Sequence, residues 1–219
     1  MYSTSLFLAS PVCVVTAIMF CNPYASSWKY KGPLPNPAVS EFHRRLPDHN
    51  ITPLIPLPAL AKEFGLGHVF VKDESNRFGL PAFKILGASW AIFKIIATRC
   101  GEPPESTLEK LGRAARAANI QLITCTEGNW GRAVSRMAKY FEIPVTVYVP
   151  KPMDRATQDK IASEGAKVVV VDGDYDKSIE MARKEAESDN NNILVMDTSW
   201  AGYEEIPQVT TSQSHEDTR

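Results

Sequence analysis

Between residues 120 and 196 the chain alternates, without interruption, between short continuous apolar runs and longer segments with helical spacing. The apolar runs lie at 120–125, 145–149, 167–171 and 193–196, and helices are expected at 132–141, 155–164 and 175–187. Val134, Met137, Ala138 and Phe141 fall on one stripe of the first helix, as the 3.6-residue period requires. Successive side chains of a strand point to opposite faces, so a run that carries apolar residues at both odd and even positions is expected to be covered on both sides. Strands that alternate with helices satisfy that demand as a parallel sheet with helices on both faces, and the expected fold class is α/β. Asp154 is placed to cap a helix, Gly165 to end it, and Asp172-Gly173-Asp174 to turn the chain into the next one.

The chain before residue 120 is less regular. Residues 22–58 are rich in proline, as in Gly32-Pro33-Leu34-Pro35-Asn36-Pro37, and the segment is expected to run as an extended arm over a core rather than as regular helix. A short helix at 59–64 with Gly65 as its stop, and a strand at 68–72, are expected next. Residues 84–97 are apolar on nearly every side, the pattern of a buried helix, whereas 105–118 are amphipathic. Residues 208–219 are polar and without periodicity, and a disordered tail is expected there. Residues 5–21 form an uncharged, mostly apolar stretch that contains Pro11 and follows no Lys or Arg, which suits neither a secretory signal nor a spanning helix. Residues 1–21 are accordingly expected to be an extension joined to a cytoplasmic domain that begins near Asn22.

Charge and cysteine usage narrow the function classes. The net charge is -1, so the chain carries no electrostatic footprint for nucleic acid or an anionic membrane, and a small ligand is the expected partner. Cys13, Cys21, Cys100 and Cys125 make no C-x-x-C pair and have no histidines at zinc spacing, which points to reduced thiols and no metal site. His43, His49, His68 and His215 offer no triad or metal cluster and read as surface or loop histidines.

Three stretches carry candidate chemistry. Lys84 opens the buried helix, and an amine desolvated among apolar groups favours its neutral form, which can form a Schiff base with an aldehyde. Taken alone, it also fits a lysine snorkelling from a helix end. Thr126-Glu127-Gly128-Asn129-Trp130-Gly131-Arg132 joins a strand end to a helix start, where glycines let backbone approach a ligand and free N–H groups suit an anion. Asn129 adds a neutral donor for a phenolic or carbonyl oxygen. A plain turn is the alternative, and Gly128 with Gly131 does not make the dinucleotide fingerprint. Asp197 lies at the carboxyl end of a strand, where α/β sheets place their ligands, although it could also simply cap a short helix.

Taken together, Lys72-Asp73-Glu74-Ser75, the R-F-G-L-x-A-F-K-x-L-G run that ends on Lys84 and Gly87, the acid-G-N-x-G-R loop and D-T-x-W-x-G-Y-x-x-I-P resemble diaminopropionate ammonia-lyases. These are fold-type-II, tryptophan-synthase-β-like enzymes dependent on pyridoxal 5'-phosphate. The resemblance covers about residues 22–207. It implies that Lys84 holds the cofactor, that Asn129 bonds its ring hydroxyl within the Gly128–Gly131 loop, and that Glu127 and Asp197 are the bases for the two mirror-image substrates. The implied reaction is α,β-elimination of 2,3-diaminopropionate to pyruvate and ammonia. A threonine-dehydratase-like deaminase, or a non-catalytic remnant that binds a full-length relative, are the alternatives. The implied partners are a small amino-acid substrate and a second copy of the chain, with no nucleic acid and no membrane.

This sequence departs from the family pattern at two positions, with Glu127 for an aspartate and Trp130 for a histidine whose place over the cofactor the bulkier indole would take. Family members also run to roughly twice this length. The glycines end at Gly202, so the phosphate cradle is expected outside this sequence and the large domain to be incomplete. The implied layout is 22–119 in the large domain, 120–192 as a small α/β domain and 193–207 returning to the large one. Little or no ammonia release is expected from the 219 residues alone.

Overall fold

The computed structural model describes residues 24, 27, 29 and 36–213, without the side chains of 211–213. The extension at 1–21, most of the arm at 22–35 and the tail at 214–219 lie outside the described residues. Met1–Pro33 forms one unit and Leu34–Arg219 another, and the fold below is that of the second.

The alternation from residue 120 onward folds as a four-stranded parallel sheet in the order β5-β4-β3-β6. Its strands are β3 (Gln121–Cys125), β4 (Val145–Pro150), β5 (Lys167–Val171) and β6 (Asn192–Leu194). The crossovers are α5 (Asn129–Phe141), α6 (Arg155–Ala162) and α7 (Tyr175–Glu187). Neighbouring side chains of one strand go to opposite cores: Leu122 packs with Val134, Met137 and Phe141 of α5, while Ile123 packs with Ala182 of α7. Every residue of β4 is buried, Thr146 and Tyr148 included, so both faces of the strand are covered. Asp154 and Asp174 cap α6 and α7, each accepting the N–H three residues on at 2.9 Å.

The helix α3 (Lys84–Cys100) packs against α1 (Pro37–Arg45), α4 (Leu108–Ala117), α5 and α8 (Glu205–Gln213). Helices on nearly every side account for its all-round apolar character. Two of these neighbours correct the sequence reading. The arm at 22–58 contains α1, because Pro37 stands at the first helical position, where its missing N–H costs nothing, and the Asn36 side chain caps the helix. Val39, Phe42, His43 and Leu46 then recur at i, i+3, i+4 and i+7, and all are buried. His43 is therefore no surface residue: its ring Nε2 donates to the Leu86 carbonyl of α3 at 3.0 Å. The tail expected from 208 is helical as far as Gln213, and α8 tolerates Pro207 because it falls in the first turn.

Residues 50–83 make a smaller structure. β1 (Leu54–Pro56) pairs antiparallel with β2 (Phe70–Lys72), with α2 (Pro58–Glu63) between them. Leu54, Ile55, Phe70 and Val71 of this ribbon are all exposed. Cys100 and Cys125 are free thiols. No helix among the described residues is long and apolar enough to cross a membrane, and none of their His, Cys, Asp and Glu side chains cluster in a metal-holding arrangement.

Candidate active site

A cavity of about 520 Å³ opens at the carboxyl edge of the sheet, within the roughly 300–1,000 Å³ of small-molecule sites. Lys84, Glu127, Asn129 and Asp197 line it together with Tyr175 and Thr198.

Lys84 arrives as the first residue of α3, at the end of a loop held by a polar network. The Arg77 guanidinium grips Glu74 with two bonds, Nε to Oε2 at 2.6 Å and one terminal nitrogen to Oε1 at 2.7 Å, and also donates to Thr52 Oγ1 at 2.7 Å. Phe78 adopts a left-handed φ of 51°, unfavourable for an aromatic residue. Its N–H donates to Asn50 Oδ1 at 2.8 Å, and its carbonyl accepts from Arg136 at 2.9 Å. Arg136 is itself paired with Glu164 at 2.6 Å, which anchors the loop to the body of the protein.

The setting of the Lys84 amine differs from the expected apolar pocket. Its side chain is 41% exposed, and Nζ donates to Asp197 Oδ2 at 2.6 Å. The residues expected to surround it face the other way, since Ile85 and Leu86 turn into the helical core. The amine and the carboxylate thus meet directly at the open cavity.

The loop between β3 and α5 also differs from a bare anion nest. Thr126 Oγ1 accepts the N–H of Gly128 at 2.9 Å and that of Gly131 at 3.0 Å, so these two donors are already used. Gly131 is glycine because a Cβ there would lie 2.4 Å from Thr126 Cγ2. The N–H groups of Asn129 and Trp130, in the first turn of α5, have no intrahelical acceptor and form the donor pair that the helix start offers. The Asn129 side chain is exposed at the cavity, and its amide has no partner among the described residues. Trp130 does not spread over the cavity. Its side chain is buried at 2% exposure, and Nε1 donates inward to Thr124 Oγ1 and to the Val195 carbonyl, both at 3.1 Å.

One cavity side chain, Tyr175, is not among the sequence candidates. Tyr175 opens α7 at the same sheet edge, beside Cys125, Asp197 and Thr198. Burial, followed by the neighbouring Cys125 and then the charge of Asp197, pushes its phenol well above the ordinary range, so it stays a neutral donor. Burial also pushes the Cys125 thiol up to about 12, which makes it unreactive. The turn at Asp172-Gly173-Asp174 was the available signal, since the residue after a cap at a strand's carboxyl end faces the same edge as the other loops.

An amine, an unpartnered amide, two helix N–H groups and two carboxylates around one cavity suit a carbonyl-bearing, oxygen-rich aromatic ligand and an amino-acid substrate. Comparisons with known proteins point the same way. The family model described as pyridoxal-phosphate dependent enzyme matches residues 46–213. The diaminopropionate ammonia-lyase of Salmonella typhimurium is 36% identical over 177 residues, covering 77% of this chain and 43% of that enzyme. The Escherichia coli K12 enzyme of the same name is 34% identical over 167 residues, covering 76% of this chain and 42% of that enzyme. The crystal structure of the Escherichia coli enzyme in apo form matches at a TM-score of 0.75 and 30% identity, over 83% of this chain and 49% of that one. The same enzyme in complex with an aminoacrylate-PLP azomethine reaction intermediate matches at 0.73 and 30% identity, over 82% of this chain and 45% of that one. The chain thus spans less than half the length of these relatives.

Proposed function

The chain belongs to the pyridoxal-phosphate-dependent enzyme family, whose fold-type-II architecture it shares, and on that premise we propose that it carries the active-site lysine and acid of a carbon–nitrogen lyase of the diaminopropionate ammonia-lyase type. The proposed reaction is α,β-elimination of 2,3-diaminopropionate to pyruvate and ammonia. The observation that carries this reading is the 2.6 Å contact between Lys84 Nζ and Asp197 Oδ2 at the cavity.

The donor set fits pyridoxal phosphate. Lys84 would hold its aldehyde carbon, the Asn129 amide would meet the ring hydroxyl, and the Gly128–Gly131 loop would keep the backbone low enough for a flat ring to approach. When bound, the cofactor supplies an electron-withdrawing ring that stabilises negative charge at the α-carbon of an amino acid. Asp197 would take the α-proton from one face and Glu127 from the other, so each enantiomer would meet a carboxylate. Glu127, exposed at the cavity mouth and one methylene longer than aspartate, has the reach to meet a proton farther from the cavity floor. The neutral Tyr175 phenol would donate to a substrate oxygen beside Asp197. In this reading 22–119 and 193–207 belong to the large domain and 120–192 to the small one, the partners are an amino-acid substrate and a second copy of the chain, and the location is cytoplasmic.

The test is coupled pyruvate formation from each enantiomer, measured with the chain extended by the residues of the Salmonella enzyme that lie beyond its match. Asp197→Asn should lower turnover by about 10²- to 10⁴-fold, the usual worth of a positioned acid–base group, and Lys84→Ala, which removes the amine that would hold the cofactor, should lower it at least as far. Undiminished turnover in Lys84→Ala would overturn the assignment.

A further inference from the structure

Asp197 is delivered by three residues, Leu194 to Met196, whose backbone groups are taken up on both sides. The Tyr203 hydroxyl donates to the Leu194 carbonyl at 2.9 Å and accepts the Met196 N–H at 2.8 Å. Val195 N–H donates to the Ile123 carbonyl at 2.8 Å. The Val195 carbonyl accepts from Thr124 Oγ1 at 2.6 Å and from Trp130 Nε1 at 3.1 Å. Of these partners, Trp130 alone comes from the loop and helix start that also carry Glu127 and Asn129. Its indole bridges two residues upstream of Asp197 to the residue next to Asn129.

From this geometry we infer that Trp130 is a positioning residue: its indole N–H fixes the spacing between the Asn129 loop and the strand end that presents Asp197 to Lys84. The claim rests on the functional reading above for its meaning, but not for its test. Thr124 still satisfies the Val195 carbonyl when the indole N–H is lost, so removal should loosen the strand end without exposing an orphaned buried acceptor. Thr124 lies on β3 itself and cannot replace the link to the loop.

The test compares the full chain with Trp130→Phe, which keeps an aromatic ring but has no N–H, and with Phe141→Leu, a buried change at the far end of the same helix. Two readouts are needed. Native-state hydrogen exchange should show protection of the Val195 and Met196 N–H groups falling by about two- to tenfold in Trp130→Phe, the range that one hydrogen bond's net contribution gives, relative to Val149 in β4. Acylation of Lys84 by a small anhydride, read by mass spectrometry against Lys139, should speed up by a similar factor as Asp197 loosens, with Asp197→Asn setting the upper limit. Phe141→Leu should move neither ratio. Unchanged ratios in Trp130→Phe would overturn the inference, and so would lost protection with unchanged Lys84 reactivity, which would make the indole a packing element only. If Trp130→Phe does not fold, exchange in the unaltered chain decides: the indole N–H should open together with the Val195 N–H, and a faster indole would contradict the claim. Neither readout uses the cofactor, so a chain that takes up no pyridoxal phosphate sinks the functional reading and leaves this one to be judged separately.

Discussion

β4 and the β1–β2 ribbon are built from similar residues and are held by different forces. In β4 every side chain is buried, and the strand pairs on both edges with parallel neighbours. In the ribbon Leu54, Ile55, Phe70 and Val71 face outward on both sides, and a two-stranded pair of this kind is marginal in water by itself. What fixes the ribbon is polar: Lys72 Nζ donates to the Thr52 carbonyl at 2.8 Å, and Thr52 Oγ1 to Glu74 Oε1 at 2.6 Å, beside the Arg77 grip. Apolar content therefore predicts strand formation in both places but stability in only one.

The largest test of that contrast is a matched pair of truncations. Leu122→Ala, at a fully buried position, should cost about 2–5 kcal/mol in chemical denaturation. Leu54→Ala should stay within about 0.5 kcal/mol, as exposed positions do. Comparable losses would mean that the ribbon is covered in solution and that the contrast is false.

A smaller effect separates the two regions by pH. Burial would raise the Glu74 carboxyl, but hydrogen bonds from Arg77 and Thr52 and the nearby charges outweigh it and hold it below its ordinary value of 4.5. A carboxyl depressed in the folded state contributes stability that is fully present above 4.5 and is lost as pH falls through the folded value. Glu74→Gln should thus cost about 2 kcal/mol at neutral pH, the worth of hydrogen bonds to a charged group, and the gap to the unaltered chain should close in acid. The Leu122→Ala gap should not change over the same range. A Glu74→Gln gap that persists at low pH would assign the ribbon's stability to something other than this ion pair.

The sheet was legible because its strands follow the apolar runs at 120–125, 145–149, 167–171 and 193–196 closely; burial on both faces accounts for the inner strands β3 and β4, whereas the edge strand β5 leaves Lys167 and Val170 exposed. The helix α1 was hidden because prolines on both sides of it suggested an arm, although Asn36-Pro37 is also how a helix begins. Of the cavity residues, Lys84, Glu127, Asn129 and Asp197 could be picked out because each stands at a strand end or a helix start. Their partners could not. That Thr126 consumes the N–H groups of Gly128 and Gly131, that Lys84 meets a carboxylate, and that Trp130 turns inward all depend on side-chain directions, which spacing along the chain does not encode. Tyr175 lies between these cases, since its place after a cap at a strand end was legible but its chemistry emerges only beside Asp197.

The proposed holder of pyridoxal phosphate is the Lys84 amine at this sheet edge. Incubation with the cofactor, reduction with borohydride and mapping of the modified peptides test it most directly. A stable adduct is expected on Lys84, absent in Lys84→Ala and accompanied in the unreduced protein by an absorbance band that the same substitution removes. An adduct on Lys72, Lys139 or another lysine with Lys84 left unmodified, or a band that survives Lys84→Ala, would contradict it.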